Sequence, residues 1–187
     1  MSAAYCRLAP RHPVHGPYHN AEYGFPATDE RVLFERLLLE INQAGLSWLT
    51  ILNKRVAFRA AFADFEVDGV AAFGPVDIDR LLADPGIVRN RLKITAAIEN
   101  AQRIQALRES HGSFVDWLDA HDPRSVEDWT QLFRKTFRFT GGQIVGEFLL
   151  SLGYLPGAHE PDCPVFARIA KLSPPWARVT AGGSPVA

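Results

Sequence analysis

An all-α fold is predicted for this chain by two observations. No segment alternates apolar and polar residues with period two, and no hairpin signal joins β-branched runs. Apolar residues recur instead at spacings of three and four from Leu33 to Leu152. The 187 residues are 47% hydrophobic and 22% charged, which suits a globular core and excludes disorder as the main state. Eight or so helices follow from the pattern.

Residues 1–27 carry Pro10, Pro13, Pro17 and Pro26 among His12, His15 and His19. Such a segment should be extended and irregular, held by contacts rather than by helices of its own. Thr28 and Asp29 offer N-caps to a helix with Leu33, Phe34, Leu37, Leu38 and Ile41 at helical spacing. Ser47 caps a second, with Trp48, Ile51, Leu52, Val56 and Phe58 as its apolar positions. A short helix runs from Gly69 to Phe73 and stops at Gly74-Pro75; Asp77 opens another that stops at Asp84-Pro85-Gly86.

Ile87 to about Arg108 reads as one long helix, striped by Ile94, Ala97, Ile98, Ala101, Ile104 and Leu107. Ser113 to His121 is shorter, and Ser125 with Asp128 resembles a capping box for a helix ending near Thr136. Thr140-Gly141-Gly142 breaks the chain before Ile144 to Leu152, and a last helix spans Cys163 to Lys171. From Ser173 to residue 187, Pro, Gly and Ser predict a flexible tail. The folded unit is then 1–172, in two lobes: 28–120, and 1–27 together with 121–172.

Twenty basic against twenty-one acidic side chains give a formal charge of −1, so no global field argues for a nucleic-acid partner. No apolar run nears the roughly 18 residues that span a bilayer, and the N-terminus lacks a signal peptide's apolar stretch. A cytosolic protein without membrane attachment is expected. Cys6 and Cys163 should then not form a structural disulfide.

Those cysteines open the first candidate site. His159-x3-Cys163 is a plausible ligand pair for a Cys2His2 metal centre, and Cys6 could join it with His12, His15 or His19. Spacing alone leaves that choice open, and free thiols with surface histidines remain the plainer reading.

Glu40 is the second candidate. With Leu33 at zero on a helical wheel, Leu37 falls at about 40° and Glu40 at about −20°, at the edge of the buried face. A carboxylate there is costly unless paired or used; the ordinary alternative is an i,i+4 pair with Arg36. Trp48, Tyr18 and Tyr23 are either core residues or the walls of a pocket for a flat or cationic ligand.

Phe137 to Gln143 is the third. A Gly-rich turn feeding a helix presents free N–H groups to an anion, with Arg134, Lys135 and Arg138 beside it. A plain helix–helix turn is the alternative. Arg89, Arg91 and Lys93 form a further basic group, read as a solvated face or a phosphate contact.

Taken together these segments resemble the DNA-3-methyladenine glycosylase I (Tag) family. The motifs are Tyr18-His19-Asn20-Ala21-Glu22-Tyr23-Gly24, Leu33-Phe34-Glu35, Leu39-Glu40 and Gln43-Ala44-Gly45-Leu46-Ser47-Trp48. Lys54-Arg55, Gly86 to Arg91 with Lys93-Ile94, Phe137 to Gly141, and Gly153 with His159-x3-Cys163 continue it, over about residues 5–166.

The resemblance implies a helix–hairpin–helix glycosylase fold whose chain ends are clasped by a structural zinc on Cys6, His19, His159 and Cys163. It implies Glu40 as the base-recognition carboxylate, Tyr18, Tyr23 and Trp48 around the base, and Gly45 and Leu46 at the gap left in the duplex. Arg138, Gly141 and Gly142 would meet a DNA phosphate. The implied activity is monofunctional excision of 3-methyladenine from alkylated double-stranded DNA by a monomer. The chain departs from the family pattern at Leu8, where an aromatic is usual, at Tyr23 for Trp, at Ile41-Asn42, and at Gly157-Ala158. Leu155 to Ala158 also lacks the aspartate that many wider relatives place after the second hairpin helix.

Overall fold

A computed structural model describes residues 3–122 and 124–178. Among them there is no strand, and eleven α-helices follow in order, where the pattern had given about eight. They are α1 (Ala3–Leu8), α2 (His15–Ala21), α3 (Glu30–Gln43), α4 (Trp48–Ala61), α5 (Val67–Ala71), α6 (Pro75–Ala83), α7 (Arg91–His111), α8 (Phe114–His121), α9 (Val126–Thr136), α10 (Gly142–Ser151) and α11 (Pro164–Ala170).

The extra helices lie mainly in the segment expected to be irregular. Residues 1–27 contain α1 and α2, because Nδ1 of His12 accepts from the backbone N–H of Val14 and His15 and so starts α2. Pro17 sits in the first turn of that helix, where a missing N–H costs nothing. Asn20 ties α2 back to the carbonyl of Pro10 at 3.0 Å.

Helix α3 is the axis of the molecule. Asp29 caps it by accepting from Arg31 N, and every residue from Leu33 to Asn42 is buried. Five helices, α4, α5, α7, α8 and α10, pack around it, so its polar residues are enclosed as well as its apolar stripe. Ser47 caps α4 through Thr50 N as expected, but Val56 faces water at 81% exposure. It lies two positions from buried Phe58, about 200° round the helix, and thus on the outer face.

Helix α6 starts at Pro75, and Asp77 is its third residue, accepting from Gly74 N. Helix α7 starts at Arg91 with Asn90 as cap, four residues later than Ile87. The turn before it is built differently: Asp84 accepts from Gly86 N, Lys54 donates to the carbonyls of Pro85 and Gly86, and Ile87 is a buried peg. Ser125 caps α9 as predicted, and Ser113, read as the start of the shorter helix, caps α8.

One buried cluster runs from Tyr18 to Tyr154, and a smaller one gathers Cys163, Val165 and Ile169 beside Cys6 and Phe25. The two ends of the chain meet between them. Gly24 N donates to Ser151 O at 2.9 Å and Trp176 N to Gly153 O at 3.0 Å. Gly153 has a φ of +74°, and a Cβ there would meet Gly24 O at 2.9 Å, so glycine is required.

The tail expected to be flexible from Ser173 is instead docked over 173–178. Pro174 and Pro175 are buried, Trp176 stacks on Phe166, and Arg178 pairs with Asp119. The remainder of that expectation, 179–187, lies outside the described residues.

Candidate active site and metal centre

Cys6 from α1, His19 from α2, His159 from the loop after α10, and Cys163 at the cap of α11 bring their donor atoms within 4.8 Å of one another. Nδ1 of His159 is 3.6 Å from the Cys6 Sγ and 3.7 Å from the Cys163 Sγ, and Nε2 of His19 is 3.9 Å from the latter. Each imidazole's other nitrogen is held: Nε2 of His159 lies 2.8 Å from the Tyr23 carbonyl and Nδ1 of His19 lies 2.7 Å from Oδ1 of Asn20. Such outer partners fix ring orientation and leave one nitrogen free to ligate. Neither cysteine is in a disulfide. Two thiols and two imidazoles at these separations could hold a four-coordinate metal ion. His12 and His15, open on spacing alone, are used elsewhere, His12 on backbone and His15 on the Tyr5 hydroxyl at 3.3 Å.

A cleft of about 630 Å³ opens where two turns face each other. One wall is the α3–α4 turn, Gln43 to Ser47; the other is the start of α10, Gly141 to Ile144; Glu40 also lines it. Glu40 is 2% exposed and its pKa is pushed up to about 8, by burial first and then by the Glu147 carboxylate. The i,i+4 pairing with Arg36 is not what engages that guanidinium. Arg36 donates to the Ser151 carbonyl and lowers the Glu40 pKa only through space.

Of the expected residues, the cleft gathers Glu40, Gly45, Leu46, Gly141 and Gly142. Tyr18, Tyr23 and Trp48 are buried in one ring cluster outside its lining, with Tyr18 5.1 Å from Trp48 and 5.8 Å from Tyr23 between centroids. The Tyr18 hydroxyl and the Trp48 indole N–H are buried without a hydrogen-bond partner, while Tyr23 donates to Glu147 at 3.0 Å. Unsatisfied buried donors are rare, and Arg36 Nε and Trp129 Nε1 are the others among the described residues. Arg138 is exposed on the α9–α10 turn and pairs with Glu99. Gly141 caps α10 with no side-chain bond, so the first turn, whose residues Gly141 to Ile144 line the cleft, has no side-chain cap on its N–H groups.

Sequence reasoning missed three contributors. Lys93 is not on a solvated face: it is buried and donates to the carbonyls of Asn42 and Ala44 at 2.9 and 2.6 Å. Its place on the apolar stripe, next to Ile94 and three before Ala96, was the available signal. Tyr5 joins the ring cluster, 6.0 Å from Tyr23, and burial, Cys6, Glu147 and Glu40 push its phenol up. The Trp48 indole lies near that phenol but outside hydrogen-bond geometry. Arg55 bridges Glu22 of the N-terminal segment to Glu35 of α3.

Comparison with known proteins starts from a family model described as methyladenine glycosylase, which matches residues 9–132. The chain belongs to the methyladenine glycosylase family. DNA-3-methyladenine glycosylase 1 of Escherichia coli (strain K12) is 35% identical over 84% of this chain and 94% of its own length. A crystal structure of a variant of 3-methyladenine DNA glycosylase I (TAG) in complex with 3-methyladenine is 36% identical, with a TM-score of 0.77, covering 86% of this chain and 96% of that one. TAG from Staphylococcus aureus, solved for the structural basis of 3-methyladenine recognition, is also 36% identical with a TM-score of 0.77, over 88% and 97%. Set against the family pattern, this methyladenine glycosylase-family chain turns Leu8 outward at 74% exposure and has Tyr5 in the ring cluster.

Proposed function

We propose that the chain is a monofunctional DNA glycosylase that hydrolyses the N-glycosidic bond of 3-methyladenine in alkylated double-stranded DNA. The observation that carries this reading is a buried carboxyl, Glu40, opening on a cleft walled by two turns that each expose backbone. The relatives support the substrate, since they are 3-methyladenine glycosylases and one is held with that base.

Methylation at N3 makes adenine cationic within DNA and a good leaving group. A buried Glu40 suits that charge. Its raised pKa keeps it protonated in the empty cleft, and the cation's field lowers it again, so the anion forms where it is matched. Extruding the nucleotide costs a few kcal/mol. Gly45 and Leu46 approach the gap it leaves; Arg138 and the α10 N–H groups at Gly141 and Gly142 hold a backbone phosphate, the helix–hairpin–helix role of α9 and α10. Tyr18, Tyr23 and Trp48 move from mutual packing to embrace the base, the orphaned Tyr18 and Trp48 donors finding partners. Water then attacks the sugar carbon. No lysine lines the cleft among the described residues, in keeping with hydrolysis rather than a lyase step.

The metal is read as zinc. A tetrahedral zinc with ordinary bond lengths has N···S edges of about 3.6 Å, against 3.6, 3.7 and 3.9 Å here. Its contribution would be structural, joining α1 and α2 to the 159–163 segment. The two lobes, 28–120 and 1–27 with 121–172, would meet at the cleft, since each supplies one wall. A monomer in the bacterial cytosol, beside the nucleoid, completes the reading.

Chromatography of bases freed from methylated DNA tests it. Wild type should release 3-methyladenine and Glu40→Gln at least about a hundredfold less. If both release nothing while duplex is still bound, the protein is a damage-sensing module; if another alkylated base dominates, the pocket's preference has shifted.

A further inference from the structure

Helix α7 reaches both walls of the cleft. Lys93 donates to Asn42 and Ala44, the carbonyls at the end of α3. Seven residues on, two turns along the same face, Asn100 clasps the opposite turn: its Oδ1 accepts from Arg138 N at 2.7 Å and its Nδ2 donates to Arg138 O at 3.1 Å. Arg103 adds a bond to Thr136 O at 2.7 Å. Both Lys93 and Asn100 are buried.

The 43–47 turn is otherwise poorly anchored, whereas the α9–α10 turn is also pinned by the buried Phe137 ring. Ala44 to Ser47 are exposed, and Gly45 has a φ of +83° with nothing within 4 Å of an added Cβ. Among the described residues, the bonds from Lys93 are the only hydrogen bonds reaching positions 42–46 from another element. Across the cleft, Phe139 has a φ of +61°, rare for a bulky side chain, yet is 41% exposed, and its ring lies 6.0 Å from the Lys93 ammonium. One cation therefore ties the turn bearing Leu46 to the turn bearing Phe139.

We propose that Lys93 is a positioning residue for base excision. It holds the 43–47 turn at the distance from the α9–α10 turn at which a duplex is gripped on one side and opened on the other. This rests on the glycosylase reading for its substrate but not for its geometry. Lys93 touches neither the base nor the sugar; it acts through Ala44 and Leu46.

The test compares wild type with Lys93→Met, and with Lys93→Gln should the Met protein not fold. Three quantities are read: binding of free 3-methyladenine, single-turnover excision at saturating enzyme, and the fluorescence of 2-aminopurine opposite a tetrahydrofuran abasic analogue in duplex DNA. Free-base binding should stay within about twofold, because Glu40 and the rings are untouched. Excision should fall by roughly tenfold to a hundredfold, and the fluorescence rise seen with wild type should be mostly lost. Equal excision and equal fluorescence in the variant overturn the proposal, as does a parallel fall in free-base binding, which would mark a general structural role. If wild type excises nothing, the glycosylase reading fails while the fluorescence arm still decides the role of Lys93. A wild type that gives no fluorescence rise overturns it.

Discussion

Arg55 grips Glu35 through two hydrogen bonds, of 2.8 and 3.0 Å, although the Glu35 side chain is only 3% exposed. The same guanidinium reaches Glu22 with two more, so one side chain joins α4, α3 and the segment after α2. Replacing it by methionine leaves a buried carboxylate with only Arg59, 3.6 Å away. Arg55→Met should therefore lose roughly 2–3 kcal/mol, below the value for fully buried pairs because Arg55 is 24% exposed. Urea denaturation at neutral pH measures this; a loss under 0.5 kcal/mol, as a threshold of about that size for surface pairs, rejects it.

Glu40 binds its proton more tightly in the folded protein than in the unfolded chain, with a pKa of about 8 against 4.5. Its contribution to stability is thus fully present below about pH 4.5 and is lost as pH rises through 8. Glu40→Gln carries no such dependence. The variant should gain on wild type in thermal stability between pH 5 and 9, as a range of about that width around the two values, and match it in acid. A constant difference across that range would mean the carboxyl is ionised throughout.

Metal removal should be felt by the whole fold. An ion held at about a thousand times its Kd stabilises by roughly 4 kcal/mol, or about 10 °C for a chain of this size. Chelator-treated protein should melt lower by about that much, and one equivalent of zinc should restore it. Cys163→Ser protein should respond to neither. Equal melting before and after chelation, with no metal by elemental analysis, speaks against the site.

A substitution at Gly141 should separate DNA contact from folding. An added Cβ there meets nothing within 4 Å, so Gly141→Val should fold normally. It should nonetheless bind undamaged duplex about tenfold more weakly at every sequence, because a branched side chain keeps a phosphate from the N–H groups of α10. Unchanged affinity in a filter-binding assay would remove this turn from the interface.

The ladder of caps was readable in advance because it is local. Asp29, Ser47 and Ser125 each accept from a backbone N–H two or three residues on, which is information contained in a four-residue window; Asn90, in the same role, was hidden by an apolar pattern that runs back to Ile87. The start of α2 was hidden since it depends on a histidine ring in a role usually filled by Ser or Asp. Docking of Pro174 to Arg178 was hidden for the opposite reason: its partners, Gly153, Phe166 and Asp119, are remote in sequence. At the site, spacing left His12, His15 and His19 open, the family resemblance picked out His19, and the donors of Cys6, His19, His159 and Cys163 converge accordingly. Lys93 was misread because a charge count takes no account of which face of a helix it lies on.

The Cys6, His19, His159 and Cys163 cluster also bears on an order of events. Cys6 and His159 meet across 153 positions, and His19 and Cys163 across 144, so the contact closes a loop of almost the whole chain. Chain made on a ribosome emerges from its N-terminus. Cys6 and His19 must therefore wait for His159 and Cys163 until nearly all the rest has been synthesised. Contacts of such long range are the slowest to form. The clasp is a late stitch of biosynthesis, and a nascent chain that stalls before residue 159 leaves a thiol and an imidazole open to whatever ion arrives first.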